Sequence, residues 1–167
     1  YPAAIITAFG GPLPRKGIVM SGTTPRLING TRAAEGLTGG EGADTIFGLG
    51  GADSLVGGDG NDILDGGAFW DTLDGGEGDD VMSGGDGNDL LLAGLGADTL
   101  RGDAGTEDRV TYEKNVSVGV VVSLLTGTGR FGLAEGDVLV GIENLTGSRL
   151  SDQLTGSDEA NRLSGGA

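Results

Sequence analysis

The sequence predicts an all-β repeat fold in which very short strands alternate with tight glycine turns. Glycine makes up 37 of the 167 residues, a nine-residue pattern recurs between residues 30 and 110, and the regular copies carry an apolar residue at one fixed place. A fixed period of this kind indicates a stacked architecture, in which each repeat buries its apolar residue against its neighbours. Nine residues accommodate a turn and a strand of about three residues.

The phase of the repeat is fixed from Gly30 onward. The successive words are GTRAAEGLT, GGEGADTIF, GLGGADSLV, GGDGNDILD, GGAFWDTLD, GGEGDDVMS, GGDGNDLLL and AGLGADTLR. The sixth place holds Glu35 and then only aspartate: Asp44, Asp53, Asp62, Asp71, Asp80, Asp89 and Asp98. The eighth place is always apolar: Leu37, Ile46, Leu55, Leu64, Leu73, Met82, Leu91 and Leu100. A ninth word, GDAGTEDRV, has its aspartate, Asp108, one residue late.

Composition excludes several function classes. The chain has no cysteine and no histidine, so disulfides, the usual zinc sites and His-dependent nucleophilic catalysis are all absent. We therefore expect no catalytic site in this chain. The net charge of −15 makes nucleic acids and anionic membranes poor partners and cations good ones. No run of 18 apolar residues occurs, so no membrane span is predicted.

The pattern of glycine and aspartate indicates a site for a hard cation. Glycines at the first, second and fourth places allow positive φ and a tight turn, which brings peptide carbonyls close to the aspartate. Calcium takes six to eight oxygen ligands in flexible geometry. Without a cation, aspartates about 5 Å apart would repel each other by roughly 3 kcal/mol per pair.

These words resemble the RTX (repeat-in-toxin) family of calcium-binding nonapeptide repeats, whose pattern is G-G-x-G-x-D-x-U-x. The resemblance covers residues 30–110. It implies a parallel β-roll, a right-handed solenoid similar to a β-helix, in which two words complete one coil. It also implies that several calcium ions lie between neighbouring coils, held by carboxylates and loop carbonyls.

With 18 residues per coil, the aspartates fall into two ladders. The first contains Asp44, Asp62, Asp80 and Asp98, and the second contains Glu35, Asp53, Asp71 and Asp89 and ends at Asp108. The resemblance assigns ligand roles to these aspartates and to the loop glycines Gly40, Gly42, Gly58, Gly60, Gly76, Gly78, Gly85 and Gly87. We favour the first ladder, because all its loops keep the fourth-place glycine. Phe69 replaces that glycine in the second ladder, which puts sites that use Asp71 in doubt.

The flanking segments differ from the repeats. Residues 1–29, with four prolines and the adjacent bases Arg15 and Lys16, are expected to be a linker or an interaction segment. Residues 111–146 are expected to form a β connector or cap, followed at 147–167 by degenerate repeats that begin a further roll. Alternation predicts one strand with Val116, Val118, Val120, Val122 and Leu124 on one face. The connector resembles those between RTX blocks through Asp108, Val110, Tyr112, Gly136, Asp137, Leu139, Gly141, Ile142, Glu143, Asn144 and Leu145.

Two further positions in the degenerate repeats occupy the sixth place. Asp152 and Asn161 are expected to be structural, because Leu150 and Glu159 replace the fourth-place glycine in their loops. Trp70 is expected to shield an edge of the roll, the alternative being a contact with a partner or a sugar.

The resemblance implies a calcium-binding structural or adhesive module of a secreted or surface-displayed protein, exported by a Gram-negative type I system. Surface polymers, sugars or a homo-oligomeric lattice are the partners this implies. The alternative is a calcium-dependent appendage of an exported protease, lipase or polysaccharide-modifying enzyme whose catalytic domain lies elsewhere. The chain starts at Tyr1 and stops within a repeat, so it is expected to be part of a longer protein.

Overall fold

The computed structural model describes residues 23–113 and 117–166, together with the backbone of residues 4–7. Within these ranges the regular structure is β, apart from one turn of 3-10 helix at Gly132–Ala134. The predicted basic pair, Arg15 and Lys16, lies outside the described residues.

The strands form two sheets with their bounds set by the nonapeptide phase. The larger sheet contains β1 (Ala4–Thr7), β2 (Arg26–Asn29), β4 (Thr45–Phe47), β6 (Ile63–Ala68), β8 (Val81–Asp86), β10 (Thr99–Ala104), β12 (Val121–Ser123), β13 (Thr128–Arg130), β14 (Val138–Val140) and β16 (Gln153–Thr155). The smaller sheet contains β3 (Gly36–Glu41), β5 (Ser54–Asp59), β7 (Thr72–Glu77), β9 (Leu90–Leu92), β11 (Arg109–Thr111), β15 (Asn144–Thr146) and β17 (Arg162–Ser164).

Successive strands from β2 to β11 alternate between the two sheets, and neighbours within each sheet are parallel. The register places Ile46 beside Leu64 and Leu64 beside Met82, a spacing of 18 residues. Two words therefore complete one coil. The prediction of an all-β parallel β-roll is confirmed.

The core is a single stripe of eighth-place side chains between the sheets. All eight predicted residues are buried, from Leu37 to Leu100, and the stripe continues into Val110. Because the strands are short and their flanking side chains point outward, each coil adds about two apolar residues to the interior. The hydrophobic core is thin along the whole roll.

The sheet begins ahead of the first predicted word. Strand β2 pairs in parallel with β4, and Ile28 stacks beside Ile46 as a buried core residue. The described residues 23–29 therefore continue the nonapeptide phase, with Arg26 at the sixth place of the word SGTTPRLIN. No aspartate or glycine pair marks this word, which is why the repeat pattern does not reveal it.

The connector reverses the chain direction. Strand β13 is antiparallel to both β12 and β14, and β14 returns to pair in parallel with β10. The prediction of one long valine strand is wrong. Its strand is only Val121–Ser123, and Val118 is 53% exposed, whereas Val120 and Val122 are buried. The amide of Val120 donates to Asp152 Oδ1, so residues 117–119 belong to a loop stacked on the coil that contains Asp152. Val116 lies outside the described residues.

Strand β15, at the end of the connector, pairs in parallel with β11. Beyond the connector, β16 and β17 extend the sheets in parallel with β12 and β15 respectively. The last eighth-place residue, Leu163, is 41% exposed, because no described coil covers it. In the described part of the chain, no helix has the length and apolar character needed to cross a membrane.

Candidate calcium-binding loops

The loops stack in two columns, one along each edge of the roll. Column one consists of loops 39–44, 57–62, 75–80 and 93–98, and column two of loops 30–35, 48–53, 66–71, 84–89 and 102–108. In both columns the amide of one aspartate donates to Oδ1 of the aspartate in the next coil. The distance is 2.6 Å from Asp44 to Asp62, 2.8 Å from Asp62 to Asp80 and 2.7 Å from Asp53 to Asp71. The two predicted ladders are thus physically stacked.

The ladder of column two includes Asp108, although the ninth word is out of phase by one residue. The amide of Asp89 donates to Asp108 Oδ1 at 2.7 Å, across 19 residues instead of 18. The extra residue is absorbed in the loop, so the carboxylate of Asp108 keeps its place in the column.

The second carboxylate oxygen of these aspartates is buried without a donor. Among the residues that the structure describes, Oδ2 has no hydrogen-bond partner in Asp44, Asp53, Asp62, Asp71, Asp80, Asp89, Asp108 and Asp152. A buried charged oxygen left in this way carries a large desolvation cost. Its recurrence at one place of the repeat points to a missing positive partner.

A second acceptor lies beside each of these oxygens. A Cβ built on Gly57 would be 2.2 Å from Asp62 Oδ2 and 2.5 Å from the Gly75 carbonyl oxygen. The same arrangement recurs at the first-place glycines Gly39, Gly48 and Gly66. Glycine keeps this space open in these four loops, because a side chain would enter the space between the carboxylate of its own loop and the carbonyl of the next coil. Two acceptors thus face the same small space.

Burial makes the charged form of these carboxylates costly. It raises the pKa of Asp53, Asp62 and Asp71 to about 6 and that of Asp80 to about 7. The stacking hydrogen bonds from the preceding coil oppose this rise, and the neighbouring carboxylates add to it. A cation between the coils would offset both the burial and the repulsion.

The donor set fits calcium better than it fits a transition metal. In ranges 23–113 and 117–166, no three Asp, Glu, His or Cys side chains converge as a metal-binding cluster. Any ion here would take one or two carboxylates and draw its remaining ligands from backbone carbonyls. Oxygen-only coordination with variable geometry is what calcium accepts. The orphaned Oδ2 atoms and the adjacent carbonyls therefore fit the ion that the repeat pattern predicts.

The glycines assigned as ligands lie where the coils approach most closely. Seven of the eight have positive φ: Gly40, Gly42, Gly58, Gly60, Gly76, Gly78 and Gly85. A Cβ on Gly78 would be 2.3 Å from the Gly60 carbonyl oxygen, and one on Gly76 would be 2.0 Å from that of Gly58. Their carbonyls thus point along the column toward the next loop. Their role as calcium ligands stays a prediction.

Two loops depart from the pattern in opposite ways. Phe69 adopts φ 85° at the fourth place with its side chain 67% exposed, yet Asp71 keeps its stacking bonds to both neighbouring coils. The strain, about 1–3 kcal/mol, leaves this ladder intact. In the loop of Asp98, by contrast, Ala93 occupies the first place and is fully buried. Its methyl group takes the space that glycine leaves open in the other coils, and the sequence signal for this departure is alanine at the first place of the word AGLGADTLR.

Three terminal loops are closed by a hydroxyl group. In loop 30–35, Thr31 Oγ1 donates to Glu35 Oε1 at 3.0 Å and accepts from the Ala33 amide. Loop 156–161 repeats this arrangement with Ser157 and Asn161, and loop 147–152 repeats it with Ser148 and Asp152. The sequence signal is Ser or Thr in place of the second glycine. These loops supply their own donors, although Asp152 Oδ2 still has none.

Both columns continue into the connector, which the nonapeptide phase does not show. The amide of Asp98 donates to Asp137 Oδ1 at 2.9 Å, and the buried Tyr112 hydroxyl donates to Asp137 Oδ2 at 2.9 Å. In column two the amide of Asp108 donates to Glu143 Oε2 at 3.0 Å. These pairs span 39 and 35 residues, so no period predicts them. Asp137 closes column one with a tyrosine donor.

Comparison with known proteins agrees with this geometry. The family model of the RTX calcium-binding nonapeptide repeat matches residues 38–73, 65–100 and 146–167, in four copies that cover about half of the chain. The chain belongs to the RTX family. A search of the curated proteins finds no match. The RTX repeats make this chain a calcium-binding repeat module, and the two columns of loops are its candidate calcium sites.

Proposed function

We propose that this RTX module folds and stiffens on meeting extracellular calcium, as a structural or adhesive part of a secreted or surface-displayed protein. The observation that carries this proposal is the double column of stacked, buried aspartates. Among the described residues, no donor reaches Oδ2 of Asp44, Asp53, Asp62, Asp71, Asp80, Asp89 or Asp108. Type I export, which is typical of proteins with RTX repeats, would place the module in a calcium-rich medium.

The magnitudes support folding that depends on calcium. At about 1 mM calcium and a dissociation constant near 10⁻⁴ M, each site contributes about 1.4 kcal/mol, and six sites contribute about 8 kcal/mol. This is comparable with the stability of a typical domain, about 5–15 kcal/mol. The thin aliphatic core must otherwise offset the ordering of a glycine-rich chain and the repulsion between stacked carboxylates. At micromolar calcium the contribution nearly vanishes.

The surface of the described residues fits a structural or binding role better than a catalytic one. The exposed pair Phe69 and Trp70, both in the loop 66–71, offers an aromatic contact for a surface polymer or sugar. As an appendage of an exported enzyme, the module would use the same loops for the same purpose. The structural role within this chain is common to both settings.

Circular dichroism and sedimentation velocity in calcium and in EGTA test the proposal, with magnesium as the ion control. We expect β-structure and a compact, rod-like particle in calcium only. Isothermal titration calorimetry then gives the number of bound ions. A β-signal that chelation leaves unchanged would refute calcium-dependent folding.

A further inference from the structure

The coil that contains strand β2 is the first coil of column one, and strand β1 pairs with β2 on the side away from β4. Arg26 occupies the position in this first coil that aspartate occupies in every later coil of the column. It lies 18 residues before Asp44, and its amide donates to Asp44 Oδ1 at 2.7 Å. The amide of Asp44 makes the same bond to Asp62 at 2.6 Å. Arg26 is also buried, with 6% of its surface exposed. An unpaired arginine is rarely buried, so its head group needs acceptors.

An interval is the gap between the loops of two successive coils in a column. The guanidinium donates to an acceptor in the first interval that has an equivalent in the next interval. Arg26 Nη1 donates to the carbonyl oxygen of Gly39, the first-place glycine of the following coil. In the next interval the corresponding carbonyl, that of Gly57, lies beside Asp44 Oδ2, which has no donor among the described residues. The later intervals thus have an acceptor facing an acceptor, whereas the first has a donor facing an acceptor.

The charge of Arg26 also acts on the carboxylate below it. Burial raises the pKa of Asp44, and both the amide and the positive charge of Arg26 oppose that rise. For the other ladder aspartates, such as Asp62, the neighbouring coils supply only like charges. The first coil therefore contributes a fixed positive charge to a column that is otherwise acidic.

We propose that Arg26 is a built-in cation that closes the first interval of column one, so that this interval is held without a calcium ion. This inference rests on the proposed binding of calcium in the later intervals. The chain then carries its own cap at the start of the array, where the neighbouring word lacks the glycine pattern. The bound ions would begin at the interval between Asp44 and Asp62.

The test compares Arg26→Gln, Arg26→Lys and Arg26→Asp with the wild-type chain, and uses Asp62→Asn as the ion-site control. Calorimetry counts bound calcium, and hydrogen exchange measures protection of strand β2. We expect Arg26→Gln to bind as many ions as the wild type while strand β2 exchanges about tenfold faster or more, even in excess calcium. Arg26→Lys keeps the charge, so its strand β2 should exchange at a rate between those of the wild type and Arg26→Gln. Asp62→Asn should bind fewer ions than the wild type.

Arg26→Asp recreates facing acceptors in the first interval, so protection of β2 should fall below that of Arg26→Gln at low calcium. The inference is overturned if Arg26→Gln changes the number of bound ions, or if β2 is as well protected in Arg26→Gln or Arg26→Asp as in the wild type. Failure of the proposed function has a different signature, namely a wild-type chain that binds no calcium or folds equally well in EGTA.

Discussion

The effect of Asp80→Asn on the stability of the fold is expected to change sign between media: it destabilises the fold in calcium and stabilises it in EGTA. Asp80 is 1% exposed, its Oδ1 accepts the Asp62 amide at 2.8 Å, and its Oδ2 has no donor among the described residues. The amide side chain keeps the accepting oxygen and removes the charge. Any loss in calcium therefore measures the ion, and not the stacking bond.

The magnitude follows from the place of Asp80 in column one. It faces two intervals, one toward Asp62 and one toward Asp98. Losing both ions at about ten times their dissociation constant costs about 3 kcal/mol. Asp80→Ala also removes the acceptor of a buried amide, which adds about 1.5–3 kcal/mol. In EGTA we expect Asp80→Asn to be more stable than the wild type. Burial raises the pKa of Asp80 to about 7, and a neutral amide removes the cost of burying the charged carboxylate.

Urea unfolding followed by far-UV circular dichroism at fixed calcium, together with the residual β-signal of each variant in EGTA, measures these differences. Asp158→Asn, at an exposed aspartate outside both columns, is the charge-matched control and should change little in either medium. The reasoning is refuted if Asp80→Asn and Asp158→Asn lose equal stability in calcium. It is also refuted if Asp80→Asn has less residual β-signal in EGTA than the wild type.

Three further predictions test the first-place glycine, the Tyr112–Asp137 hydrogen bond and the protonation of the buried aspartates. Gly57→Ala should abolish most calcium-coupled folding in a calcium titration, because its Cβ would lie 2.2 Å from Asp62 Oδ2; Gly36→Ala, with no atom within 4 Å, is the matched control and should fold normally. Tyr112→Phe should lower stability by about 1.5–3 kcal/mol in thermal unfolding, since it strips Asp137 Oδ2 of its donor, and an unchanged melting temperature would contradict this. In EGTA, β-structure should increase as the pH falls from about 7.5 to about 5. The folded-state pKa of Asp62 is raised to about 6, above the unfolded value near 3.9, so the native state binds more protons and its stability is lost as pH rises through that window; a flat circular dichroism profile would exclude this linkage.

Much of the roll could be predicted from the sequence because its contacts repeat with the chain. A coil touches mainly the coils 18 residues before and after it, so one period specifies strand, turn and core together. The eighth-place residues such as Leu64 are therefore recognisable without a structure. The same holds for the stacking of Asp62 on Asp80, which follows from equal spacing alone. What the loops bind follows from the residue types at those places.

The parts that could not be predicted are those whose contacts do not repeat. Asp137 joins column one across 39 residues and takes its second donor from Tyr112, because the connector reverses direction before its strand returns to the sheet. The valine pattern indicated one strand where the loop stacked on Asp152 allows only a short one.

Arg26 is the clearest example of a feature that only the tertiary structure determined. The sequence alone determined the nine-residue period, the thin apolar stripe and the two ladders of aspartates, because each depends on spacing along the chain. Only the tertiary structure placed a guanidinium at the sixth place of an unmarked word, against the Gly39 carbonyl. SGTTPRLIN is recognisable as a repeat only because strand β2 stacks on the coil of β4. Its own composition, without aspartate or a glycine pair, does not mark it as one.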